Sequence, residues 1–209
     1  MKSTIMTHIR KTALAFLLPV FALSSLGTFA QDAANKNDPA TWHDEGIYYY
    51  NKDQASNPMI MIDPSVAGEA KKGGFGHALA TSYSGGLTQT KEKAAIAGAH
   101  SQTIISNKRP SFYFYFKADN LNPKLFSLCE FDVTKHERTL VVGSSNAFGG
   151  RSGISEKQIV EFTYERLSAG IFKVTPKADL EEGEYCFVYI GKVESTFANG
   201  YYDFGIGVK

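Results

Sequence analysis

The chain reads as all-β: a two-layer antiparallel β-sandwich of about nine to eleven strands behind a cleaved leader. Three observations predict this. The composition is rich in Phe (15), Tyr (11) and Gly (19), with few long runs of Leu, Ala or Glu, and aromatic residues fit a pleated, half-buried surface. From Gly46 onward, short apolar or alternating runs are separated by Gly, Pro, Asn and Asp, the residues that turn a chain. Finally, Ser111-Phe-Tyr-Phe-Tyr-Phe-Lys117 places Phe112, Phe114 and Phe116 on one face of a strand and Tyr113 and Tyr115 on the other.

The elements follow in order. Lys2, Arg10 and Lys11 precede an apolar stretch from Ala13 to Leu26, and Gly27-Thr28-Phe29-Ala30 stands before Gln31. This is the layout of a secretory signal peptide, with small residues at Thr28 and Ala30 suited to the peptidase. The stretch is about fourteen residues long and contains Pro19, whereas a bilayer-spanning helix takes roughly twenty. It therefore predicts export and no transmembrane anchor after cleavage. Removing the three basic residues leaves 19 Lys and Arg against 21 Asp and Glu, a formal charge of −2. Nucleic-acid binders concentrate Lys and Arg to displace counterions from phosphate, so the composition argues for no nucleic acid partner. The remaining length suits one sandwich domain over 46–209, large enough to bury a core without metal.

Residues 31–45 are polar and aperiodic, a flexible lead-in with Trp42 available for docking. Predicted strands are 47–50, 59–62, 77–83, 111–117, 125–133, 139–142, 159–164, 171–175, 184–190 and 202–208. Between them, 91–105 is ambiguous. Lys91-Glu-Lys-Ala-Ala-Ile-Ala97 favours a helix by composition, but Gly98 interrupts it and Ser101-Gln-Thr-Ile-Ile105 is strand-like. Two short strands or one kinked strand is the expectation. Strand 111–117 is hazardous at a sheet edge and should be central, its Phe face in the core and its Tyr face under a cover that supplies hydroxyl partners.

The spacing Leu180-x-x-Gly183-x-Tyr185 resembles the tyrosine corner of Greek-key sandwiches, in which a Tyr hydroxyl bonds back to the backbone. It makes the sandwich Greek-key-like. Cys186 follows Tyr185 by one residue and the only Trp is Trp42, an arrangement unlike that of immunoglobulin domains. Cys129 and Cys186 sit in strand-like segments with apolar same-face neighbours. In an exported chain they either form a disulfide, worth about 4 kcal/mol for a loop of roughly 57 residues, or pack as buried thiols.

No catalytic constellation emerges. Gly143–Ser152 resembles a phosphate loop, but Ser145 and Arg151 occupy the positions that need Gly and Lys, and a hairpin loop explains the glycines. Asp203-Phe204-Gly205 matches a kinase triplet without the other kinase signatures and reads as a closing strand with Phe204 inward. His43, His77, His100 and His136 have no spacing that converges on zinc. Glu161, Glu165 and Asp132 offer carboxylates for glycoside hydrolysis or, more simply, the wet face of a sheet. Asp119-Asn-Leu-Asn122 lacks the closing Glu of a calcium loop and reads as a turn before Pro123. No cofactor or metal site is expected.

Aromatic display carries more weight. Tyr48, Tyr50, Tyr201 and Tyr202 lie near predicted strand ends. Facing solvent together they would form an amphipathic platform for a partner protein or a sugar ring; alternation equally sends Tyr49, or its two neighbours, inward. The expected function is a non-catalytic interaction module with a protein partner, a subunit or accessory of a cell-envelope or surface assembly, working in the periplasm, at the cell surface or outside the cell. The alternative is a carbohydrate-binding module taking polysaccharide on those tyrosines. A hydrolase or an outer-membrane barrel stands behind both, the barrel weakened because 112–116 lacks its polar and apolar alternation.

Overall fold

The computed structural model describes residues 37–71, 90–146, 149–192 and 194–207. The leader, residues 31–36, the predicted strand 77–83 and His77 lie outside them. Among the described residues there are sixteen β-strands, two short 3-10 turns and no α-helix. The strands are β1 Gly46–Tyr50, β2 Met59–Met61, β3 Pro64–Ser65, β4 Gly68–Lys71, β5 Thr90–Ala97, β6 Ile104–Ile105, β7 Phe112–Tyr115 and β8 Phe126–Glu130. Then come β9 Asp132–Val133, β10 Glu137–Asn146, β11 Gly149–Ser152, β12 Ile159–Val160, β13 Phe162–Ser168, β14 Ile171–Pro176, β15 Gly183–Tyr189 and β16 Tyr201–Ile206. The number exceeds the expected nine to eleven because predicted runs divide (125–133 at Phe131, and 159–164 at Glu161 where the chain passes from one sheet to the next) and because β3, β4 and β11 lie outside the predicted strands. The ambiguous 91–105 forms two strands, β5 and β6, separated at Gly98, whose φ of 89° suits a residue without Cβ.

Three packed sheets result. The first has the order β13-β14-β7-β1-β2, the middle one β12-β8-β15-β16-β3, and the third β11-β10-β5-β4. β6 adds to β16, the one parallel pairing among the described residues, and β9 adds to β10. The aromatic strand β7 is central in its sheet, paired with β1 and β14. Phe112, Phe114 and Phe116 are 0%, 0% and 2% exposed. They pack with Phe126, Leu128, Phe187 and Phe204 of the middle sheet to make the main core, with Phe114 edge-on to Phe187 and Phe126 at 5.0 and 5.2 Å. Such edge-to-face contacts satisfy the ring quadrupoles as well as burying area.

The middle sheet is apolar on its other face too. Cys129 and Cys186 alternate with core-facing Leu128 and Phe187 and meet Ile96 and Leu140 of the third sheet. A strand buried on both faces carries apolar residues on both, as Leu128-Cys129 and Tyr185-Cys186-Phe187 do. This second interface adds a layer to the expected pair. Of the two expectations for the cysteines, the geometry fits the buried thiols: Cys129 and Cys186 are both free and buried. They are direct cross-strand partners within one sheet, so they do not bridge two layers. Burial pushes the Cys129 thiol up to about 12 and raises Cys186 as well, which keeps both protonated and unreactive.

The Tyr face of β7 is covered by residues 37–45. Trp42 and His43 pack on Tyr115 at 6.1 and 5.0 Å, and the Tyr115 hydroxyl donates to the Pro39 carbonyl at 2.8 Å. The tyrosine corner forms as the spacing predicts, Tyr185 Oη donating to the Glu181 carbonyl at 3.0 Å. Gly170, at φ 70°, turns β13 into β14; a Cβ there would collide with the Phe116 carbonyl oxygen.

Candidate functional site

Glu184 and Asp203 lie on the face of β15 and β16 that meets the third sheet, on the same side as Cys186. Charged groups in that position need partners, because desolvating an isolated charge is costly. Arg138, from the start of β10, supplies one. It forms an ion pair with Asp203 Oδ2, donates to Ser101 Oγ at 2.6 Å and lies 3.7 Å from Glu184 Oε2. Arg138, Asp203 and Glu184 are 3%, 5% and 6% exposed. Ser101 donates to Glu184 Oε2 through both its backbone N–H (2.8 Å) and its hydroxyl. His100 Nδ1 lies 3.1 Å from Glu184 Oε1, its ring otherwise open to solvent. The guanidinium also sits 5.7 Å from the Phe131 ring centre, a cation–π contact strengthened by burial.

Ser, His and Glu come together here, but not as a nucleophile relay. A relay needs His between the hydroxyl and the carboxylate. In this protein Glu184 stands between Ser101 and His100, and the Ser101 hydroxyl already serves both Glu184 and Arg138. One guanidinium faces two carboxylates, with Ser101 and His100 supplying the remaining donors. The arrangement fastens the third sheet to the middle one.

Over this network opens a cleft of about 720 Å³. Phe131, Ile104 and Ile206 give it an apolar floor, and Glu130, Asp132 and Glu182 lie along its rim. A second cleft, of about 790 Å³, lies at the far end of the third sheet against the β10–β11 hairpin. It is lined by Lys91, Arg151 and Lys157, with Glu156 paired to Arg151 at 3.0 Å, and by serines and glycines. The glycine-rich segment is thus a hairpin, as its composition implies.

The four tyrosines do not share a surface. Tyr48 is buried, with Tyr50 packed beside it, on the outer face of the first sheet among Tyr113, Tyr115 and Ile171. Tyr202 belongs to the main core and Tyr201 packs against the second interface. Of the two readings of these residues, the geometry fits burial for Tyr48 and Tyr202, with Tyr50 and Tyr201 half-buried. Both faces of β1 are covered, one by the main core and the other by residues 37–45, so alternation exposes neither set. Burial raises the phenols of Tyr48, with a further push from Asp44, and takes Tyr202 up to about 12, helped by Glu45.

The remaining candidates fall into structural places. Glu161 pairs with Lys177 at 3.0 Å and Glu165 with Lys173 at 3.2 Å, cross-strand pairs on the exposed edge of the first sheet. Asn122 caps the turn Pro123–Leu125 by accepting from Lys124 N–H. Phe204 faces the core, and the Asp before it is the anchor of Arg138. Among the described residues no group of three or more His, Cys, Asp and Glu side chains is arranged for a metal, and no helix is long and apolar enough to cross a membrane.

Of the network residues, sequence reasoning named Asp203 only within the triplet Asp203-Phe204-Gly205, and did not single out Arg138, Ser101 or Glu184. A signal exists: Glu184 and Asp203 are acidic positions on the same strand faces as Cys186 and Tyr201, where an unpaired charge has no place. Compared with known protein families, with curated proteins and with solved structures, the chain finds no match in any of the three.

Proposed function

We propose that the protein is exported and acts as a non-catalytic interaction module, a subunit or accessory of a cell-envelope or surface assembly. Export rests on the leader sequence, with its basic start, short apolar run and small residues before Gln31. The interaction role rests above all on one observation. The deep polar groups with chemical potential, Arg138, Ser101, Glu184 and Asp203, are engaged with one another and fasten two sheets. What remains for function is the outer surface, where rigid sheets hold loops and clefts in place. The polysaccharide alternative loses support because its tyrosines lie in three different packing clusters.

The test is cross-linking of the protein in its native envelope, followed by recovery under denaturing conditions. The proposal expects a covalent adduct with a defined protein. Recovery solely as the free monomer contradicts it.

A further inference from the structure

We infer that the partner at the clefts of the third sheet is a second copy of this chain, joined head to tail; this rests on the interaction-module reading and specifies its occupant. The two ends of the third sheet are complementary in charge. β10 is ten residues long, which separates its ends by about 30 Å. At its start, β9 pairs Val133 with Arg138 and Asp132 with Thr139, and there the apolar-floored groove carries Glu130, Asp132 and Glu182 on exposed rim positions. At its other end stands the β10–β11 hairpin, flanked by exposed Lys91, Arg151 and Lys157.

The full chain's net charge is only +1, so the opposition is local segregation rather than an overall excess. Among the described residues β11 is also an edge strand, exposed at all four residues and built from Gly149, Gly150, Arg151 and Ser152. Arg151 on this edge is paired with Glu156, so neighbouring Lys91 and Lys157 are the cations this end offers to the acidic rim of the groove. An edge strand offers free backbone groups to a second chain, and opposite potentials steer the encounter and fix its register. Because groove and hairpin are different surfaces, the contact is heterologous. It propagates into a filament, or into a ring where the rotation closes.

Sedimentation velocity of the protein over a range of concentration and salt tests this. Association that grows with concentration and weakens with salt is expected, since exposed charge pairs are screened. The variant Lys91→Glu/Lys157→Glu and the variant Glu130→Lys/Asp132→Lys alter exposed positions, and each should weaken self-association by about tenfold or more through like-charge contacts. Mixed in equal amounts, the two reversed variants should associate again, because each hairpin then meets a groove of opposite sign. A wild-type protein that stays monomeric throughout overturns the inference. So does a mixture of variants that fails to associate. A monomer that instead takes up oligolysine in the groove overturns it in favour of another basic partner. Wild-type monomer together with a cross-linked envelope partner refutes self-association while leaving the interaction-module reading intact.

Discussion

Arg138 on the third sheet is held by Asp203 on the middle sheet in an ion pair from which water is nearly excluded. Breaking such a pair on one side leaves a buried charge without compensation. Arg138→Leu should therefore lower the unfolding free energy by about 3–5 kcal/mol. Arg138→Leu/Asp203→Leu should recover only part of that loss, because Glu184 stays buried with Ser101 and His100 but without the guanidinium. Urea unfolding of the three proteins checks both statements, and a single mutant as stable as the wild type would mean that the pair is not formed.

The two cysteines lie opposite one another on neighbouring strands, buried and protonated. In the folded protein neither thiol should react with an alkylating reagent at neutral pH. After unfolding in denaturant both should react, giving two labels per chain by mass. Labelling of the native protein at the rate of a free thiol would contradict the packing between the middle and third sheets.

Alkaline pH acts through the buried phenols. Burial raises Tyr185 and Tyr202 from 10.0 to about 12, and raises Tyr115 further. A folded-state value above the unfolded one means that the folded protein holds its protons longer. The stabilisation is then complete below pH 10.0 and is lost as pH rises through about 12. The phenolate absorbance of the native protein should lag behind that of urea-unfolded protein in this window. It should catch up in a step that coincides with loss of β-sheet circular dichroism. Superimposable titrations would contradict the burial of these rings.

The corner hydroxyl is a smaller lever. Tyr185→Phe keeps the ring stacked on Phe204 and removes only the bond to the Glu181 carbonyl. A loss of about 1 kcal/mol is expected by urea unfolding, the usual net worth of one hydrogen bond. A larger loss would show that the hydroxyl does more than close the corner.

The parts of the fold that local pattern controls were legible in the chain. Strict alternation over 111–117 sent its Phe rings to one face, and Leu180-x-x-Gly183-x-Tyr185 announced its corner, because both depend on neighbours in sequence. Layer number did not follow in the same way. Cys129, Cys186 and Val188 could sit against a second face of one sandwich or against a third sheet, and only the pairing of distant β5 and β10 decides. The polar network was hidden for a related reason. Ser101, Arg138, Glu184 and Asp203 are scattered through the chain and gain meaning only when three strands and a loop converge. The tyrosines stayed open between display and burial because exposure depends on what covers a strand, and residues 37–45 lack any periodic signal of their own.

Phe112, Phe114 and Phe116 form the interior between the first and middle sheets. Phe114, in contact with Phe116, Phe126 and Phe187, is its best probe. The most direct measurement is the unfolding free energy of Phe114→Ala by urea titration. A loss of about 3–5 kcal/mol, as for a large ring removed from a packed core, is the predicted result; a change below about 1 kcal/mol, as at an exposed position, would contradict the fold described.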